Sequence, residues 1–185
     1  DYLHNPLILA DMETAVERIL LAIEQKEQIV IHGDYDVDGV TSTVLLRRTL
    51  ELLGADVTHF LPERLKDGYG LQSAIVERLH AQGVRLIISV DCGINASEAA
   101  LTAKALGVDL IITDHHEPGT ELPQALAVIN PKRSDCNYPN RNLAGVGVAL
   151  KLVQAICDKT DRHNWLPSFL KIAAIGTLAD VVPLT

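Results

Sequence analysis

Residues 28–39 read Gln-Ile-Val-Ile-His-Gly-Asp-Tyr-Asp-Val-Asp-Gly. The apolar run Ile29-Val30-Ile31 has the pattern of a strand buried on both faces, and His32-Gly33-Asp34 ends it with polar and flexible residues. Beyond the acids, Val40 to Leu53 shows helical spacing and stops at Gly54, a suitable residue just past a helix C-terminus. A buried strand, an acidic turn and a helix in that order form the first half of a βαβ unit.

The alternation extends outward from this stretch. Upstream, Met12 to Lys26 places Val16, Ile19, Leu20 and Ile23 at helical spacing and predicts an amphipathic helix. Downstream, strands are expected at Val57 to Leu61, Arg85 to Val90, Asp109 to Thr113 and Leu126 to Ile129. Between them lie helix patterns from Leu71 to Ala81 and, capped by Asn95, as far as Leu106 before Gly107. After Pro131 a polar loop leads to two apolar helices, about Gly145 to Cys157 and about Pro167 to Ala179. The expectation is an α/β fold: a mainly parallel sheet with helices on both faces, followed by a small helical segment. Residues 1–27 form an N-terminal helical segment ahead of the main domain at 28–185.

The chain has 185 residues, 48% of them hydrophobic, enough for one good core. No run approaches the roughly 18 consecutive apolar residues of a membrane span, and no basic and apolar leader opens the chain, so a cytoplasmic protein without a membrane partner is expected. Cys92, Cys136 and Cys157 are widely separated, form no metal-ligand spacing, and read as reduced thiols. A net charge of −8 lacks the basic footprint of a self-sufficient nucleic-acid binder. Either the substrate is not a polymer, or cations neutralise a carboxylate-rich site and a basic groove comes from elsewhere.

The chemistry gathers at three strand ends: His32 to Gly39, Asp91, and Asp114-His115-His116. In an open parallel sheet such ends face one crevice, where so many carboxylates would repel one another unless cations held them. The alternate spacing of Asp34, Asp36 and Asp38 directs several carboxylates towards one or two ions. A calcium EF-hand loop does not fit, because Thr41-Ser-Thr-Val follows Gly39 where further oxygen ligands belong and a strand precedes the motif. Each acid also has a plainer reading, as a solvated turn capping the next helix with Asp38 or as an ordinary helix-end acid at Asp180. His32 alone reads as a core histidine. Carboxylates mixed with imidazoles suit Mn²⁺ or Mg²⁺, and two such ions suit phosphoester hydrolysis.

Four ordered segments resemble the motifs of the DHH phosphoesterases: His32–Gly39, Ser89-Val-Asp-Cys-Gly-Ile94, Thr113-Asp-His-His116 and Gly176-Thr-Leu-Ala-Asp-Val-Val-Pro-Leu184. Within that family the closer likeness is to its single-strand-specific DNA exonucleases, since Asp67-Gly-Tyr-Gly-Leu71, Ile129-Asn-Pro131, Asp135-Cys136 and Leu143-Ala-Gly-Val-Gly-Val-Ala149 also fit. The resemblance implies that Asp36, Asp38, Asp91, His115 and Asp180 ligate metal, with Asp91 bridging two ions and also counted as catalytic. A sixth place is shared between His32 and Asp34. His116 is implied to contact the phosphate and assist catalysis, Asp114 to orient a neighbour, and Arg64 to bind a substrate phosphate. The implied activity is metal-dependent 5′ to 3′ hydrolysis of single-stranded DNA in recombination and repair, aided by a DHH-associated domain and an OB-fold beyond this chain. Rival readings are a nanoRNase, a cyclic-dinucleotide phosphodiesterase, a pyrophosphatase, or a non-catalytic replication module on the same fold.

Overall fold

The computed structural model describes residues 3–62 and 70–184. Arg64 and the Asp67–Tyr69 part of the expected motif lie outside the described residues.

Five strands form one parallel sheet: β1 (Ile29–His32), β2 (Val57–Phe60), β3 (Leu86–Val90), β4 (Asp109–Thr113) and β5 (Ala127–Ile129), in the order β2-β1-β3-β4-β5. All four pairings are parallel, with Ile29 opposite both Val57 and Leu86. Among the described residues six α-helices accompany them: α1 (Met12–Glu24), α2 (Val37–Leu52), α3 (Ser73–Ala81), α4 (Ser97–Leu106), α5 (Gly145–Lys159) and α6 (Leu166–Ala179). Both faces are covered, as uninterrupted apolar strands require. Ile29, Ile31, Leu86, Ile88 and Ile111 face the layer of α1, α2, α5 and α6, while Val30, Ile87, Leu110 and Ile112 face α3 and α4. Successive strand residues thus alternate between two cores.

The strand order decides where a ligand can sit. From β1 the chain moves outward to β2, then returns past β1 to β3, so the direction reverses between the two neighbours β1 and β3. Such a switch point opens a crevice beyond the carboxyl ends of those strands. The turn after β1 and Asp91 after β3 both occupy that position.

Local chemistry moves two boundaries. Helix α2 begins at Val37, three residues before the expected Val40, because Asp36 and not Asp38 is its cap: Asp36 Oδ1 accepts from Gly39 N at 2.8 Å. Asp38 then falls in the first turn, where the helix dipole favours an acid. Asn95 does not cap α4. Its Oδ1 accepts from Gly119 N at 3.1 Å, and α4 starts later, after Ala96. Gly54 ends α2 as expected, in the left-handed region at φ 80°. Among the described residues no helix is long and apolar enough to cross a membrane.

The N-terminal helix shares the main core through Met12, Ala15, Val16, Ile19 and Ala22. Its entry is clamped by Asp11, whose Oδ2 accepts from Val128 N at 3.1 Å and from Arg133 Nη1 at 2.6 Å. Arg133 also forks onto Asp135 at 2.9 and 2.7 Å and donates to Val128 O. Replacing this buried guanidinium strands a backbone carbonyl and releases α1 from β5. Arg133→Ala is expected to cost about 1–3 kcal/mol in urea unfolding, whereas Val44→Ala on the exposed face of α2 stays within about 0.5 kcal/mol; equal losses would contradict the clamp.

Candidate metal centre

Each side chain of the centre is delivered by a strand or helix end. The turn after β1 brings Asp34 and Asp36, the first turn of α2 brings Asp38, the end of β3 brings Asp91, and the end of β4 brings Asp114, His115 and His116. Asp180 arrives from the opposite direction, as the C-cap of α6. Asp34, Asp38, Asp91, Asp114 and His115 are buried.

The possible donor atoms fall into three overlapping groups, each within 4.8 Å: Asp34 with Asp36 and Asp91, Asp38 with His115 and Asp180, and Asp91 with His115 and His116. Asp91 and His115 each belong to two groups, and their Oδ1 and Nε2 lie 3.2 Å apart. His115 Nε2 is also 3.6 Å from Asp180 Oδ2 and 3.9 Å from Asp38 Oδ2. Asp91 Oδ1, His115 Nε2 and Asp180 Oδ2 are buried yet have no hydrogen-bond partner among the described residues. Buried polar atoms are rarely left so, and this set of facing oxygens and an imidazole nitrogen fits divalent cations of the Mn²⁺ or Mg²⁺ kind.

His32 joins none of these groups among the described residues. It is fully buried, with Nδ1 3.5 Å from Cys92 Sγ and its ring 5.6 Å from that of Phe60. Of the two candidates for the sixth place, Asp34 is the one brought to the carboxylates. Cys92 is a buried filler whose thiol is pushed well up by burial and the surrounding carboxylates.

The backbone is shaped around the acids. Asp91 takes a left-handed conformation at φ 60°, uncommon for a residue with a side chain and frequent at functional sites. Asp38 accepts from Gly145 N at 2.6 Å and Val146 N at 2.8 Å, buried amides at the start of α5 that have no partner within the helix. Gly145 must be glycine, because a Cβ there would collide with the carboxylate of Asp91. The Leu143-to-Ala149 motif carried the signal for this contact between β3 and α5, since a glycine at a helix start permits close approach, but the sequence does not say that Asp91 is what approaches.

Asp114 orients its neighbours. Its Oδ1 accepts from His115 N, His116 N and His116 Nδ1 at 2.7, 3.1 and 2.7 Å, and its Oδ2 from Ile94 N at 2.8 Å. Burial would push its carboxyl up, but the hydrogen bonds from His116 and Ile94 hold it below the ordinary range. The same bond, donated by His116 Nδ1 to Asp114, raises the His116 imidazole against the opposing effect of burial. Buried Asn130, which sequence reasoning missed, donates from Nδ2 to His116 O at 2.9 Å and so fixes this turn from behind.

Comparison with known proteins places these features in a family. Residues 28–177 match the model described as the DHH family, N-terminal domain. The chain is 48% identical over 182 residues to the single-stranded-DNA-specific exonuclease RecJ of Bacillus subtilis, covering 98% of the chain and 22% of that protein. It is 41% identical over 187 residues to the same-named protein of Escherichia coli, covering 95% of the chain and 32% of the relative. The chain thus spans less than a third of the length of either curated relative. A crystal structure of exonuclease RecJ bound to manganese superposes with a TM-score of 0.86 at 37% identity, over 95% of this chain and 44% of that one. RecJ of Thermus thermophilus in complex with Mn²⁺ gives 0.80 at 35% identity, over 95% of this chain and 25% of that one.

Without metal, burial and the nearby carboxylates Asp38, Asp36 and Asp114 push the Asp91 carboxyl up to about 10. The unfolded carboxyl titrates near 3.9, so the folded chain holds a proton that the unfolded chain releases, and stability falls as pH rises from about 4 towards about 10. In EDTA, urea unfolding of the wild type should weaken between about pH 6 and 9, while Asp91→Asn flattens that slope and is more stable at the upper end by at least about 1 kcal/mol. A variant less stable than wild type throughout would contradict the electrostatic account.

Proposed function

The chain belongs to the DHH family, and on that premise we propose that it is the catalytic portion of a cytoplasmic, metal-dependent exonuclease degrading single-stranded DNA from its 5′ end in recombination and repair. The observation that carries the reading is the set of buried, facing atoms Asp91 Oδ1, His115 Nε2 and Asp180 Oδ2 at the switch point of the sheet, without a hydrogen-bond partner among the described residues. Relatives named as single-stranded-DNA-specific exonucleases, and RecJ structures holding manganese or Mg²⁺, support it.

Two divalent cations would be held by Asp34, Asp36 and Asp91 on one side and by Asp38, His115 and Asp180 on the other, with Asp91 shared. Bound there, they supply Lewis acidity towards a phosphoryl oxygen and a hydroxide at neutral pH. The chain's own residues do the positioning. Asp114 fixes the His116 ring by holding Nδ1–H, which leaves Nε2 for the substrate. With its imidazole raised by that partner, His116 holds a proton at Nε2 for a phosphate oxygen or the departing oxygen. The amides of Gly145 and Val146 keep Asp38 in place as charge at the centre changes. Arg64 is proposed to contact a substrate phosphate, as a guanidinium matches phosphate bidentately. The basic surface that an acidic catalytic portion lacks would come from the DHH-associated and OB domains of the longer protein.

The test is hydrolysis by the full-length protein with Mn²⁺. Single-stranded DNA should be degraded to mononucleotides, duplex DNA should resist, and Asp91→Ala should lose at least about a thousandfold in rate. Preference for an RNA dinucleotide, a cyclic dinucleotide or pyrophosphate would move the function elsewhere in the family. Hydrolysis that survives Asp91→Ala would overturn the proposed centre.

A further inference from the structure

Away from the metal centre, helices α1 and α5 pack against each other on the main core, and a short 3-10 turn at Pro6–Ile8 touches both. Between these three elements lies a cavity of about 210 Å³. Its floor is apolar: Val16 of α1 and Ala155 of α5 are buried in the core, and Leu7 lines the cavity beside them although it is 55% exposed. Its rim is charged, with Glu13 and Glu17 from α1 and Asp158 and Lys159 from α5.

The rim selects the sign of an occupant. Glu13 and Glu17 stand one helical turn apart on the exposed face of α1, a spacing at which like charges repel. Asp158 bonds His163 Nδ1 at 2.9 Å, and Lys159 offsets one charge. Three carboxylates against one ammonium leave the rim acidic, so an occupant that brings lysine or arginine relieves the repulsion and is steered to the groove. The floor selects the rest. It offers space for one large aliphatic side chain, whose burial also removes Leu7 from water.

The geometry points to a docking site for a basic segment of a partner protein, with one aliphatic anchor seated between α1 and α5 and flanking lysines or arginines against Glu13 and Glu17. An apolar anchor inside a charged rim is the usual anatomy of such a site. A neutral apolar segment would leave the acids unrelieved, and a second copy of this chain, at net charge −8, would meet them with like charge. Ala155 lies ten residues along α5 from Gly145, about 15 Å of helix. An occupant there tethers the chain and leaves the crevice open.

Fluorescence anisotropy on the full-length protein, with and without Mn²⁺, tests the site with two short labelled peptides that differ only in a central leucine or serine between lysines and arginines. The leucine peptide should bind about tenfold tighter or more, equally well in both conditions. Glu13→Lys with Glu17→Lys should weaken it about fivefold or more, and Leu7→Asp should bring it to the level of the serine peptide. Glu77→Lys with Glu121→Lys, the same change of charge at exposed positions elsewhere, should leave it unchanged. Equal binding of the two peptides, or equal losses in the two double variants, overturns the site. Displacement by Mn²⁺ also overturns it, since the peptide then lies at the acidic crevice. So does an absence of binding, and a change of oligomeric state in Leu7→Asp would then assign the groove to a second copy.

Discussion

Carboxylates repel one another most strongly where water is excluded, and this fold brings Asp34, Asp38 and Asp91 together at buried positions, with Asp36 and Asp180 beside them. That repulsion is the constraint on which the rest depends. It arises from topology: the strand order reverses between β1 and β3, and the first residues beyond both strands are directed into the same crevice. Without a cation, part of the charge is removed by protonation, as burial and neighbouring acids raise both Asp38 and Asp91. The elements around the crevice stabilise a charge distribution that would otherwise force it open.

Several of these elements act through backbone amides. The start of α5 presents the N–H groups of Gly145 and Val146 to Asp38, and the first turn of α2 presents that of Gly39 to Asp36. A helix N-terminus favours an anion through its unsatisfied amides and its dipole together. Asp114 takes the complementary part, spending a buried carboxylate on the backbone of the His115–His116 turn and on the His116 ring. The acids of the crevice therefore divide into one that orients histidines and a set whose facing atoms could hold a cation.

The sheet was legible because its strands are short apolar runs between polar breaks, and runs buried on both faces carry little ambiguity once helices alternate with them. The finer placement was not. Asp36 and Asp38 are equally good caps on paper, and which of them caps α2 depends on the turn leaving β1. Asn95 looked like a cap, but a loop near Gly119 supplies a competing donor. Asp180 carries no local mark beyond ending an apolar helix; its arrival opposite His115 depends on α6 packing against α2, so closely that a Cβ at Gly176 would collide with Thr41 Oγ1. His32 and Asp34 could not be ranked from sequence, because two residues of separation decide which side chain enters the crevice and which lies against Phe60 and Cys92.

If repulsion among these carboxylates is what a cation relieves, binding it must displace a proton from the raised acids. Titration of Mn²⁺ into the metal-free protein at neutral pH, in buffers of different ionisation enthalpy, counts that release directly. The account predicts tight binding accompanied by about one proton released or more, and a marked fall in release in Asp91→Asn. Binding with no proton released, or release unchanged by Asp91→Asn, would contradict it.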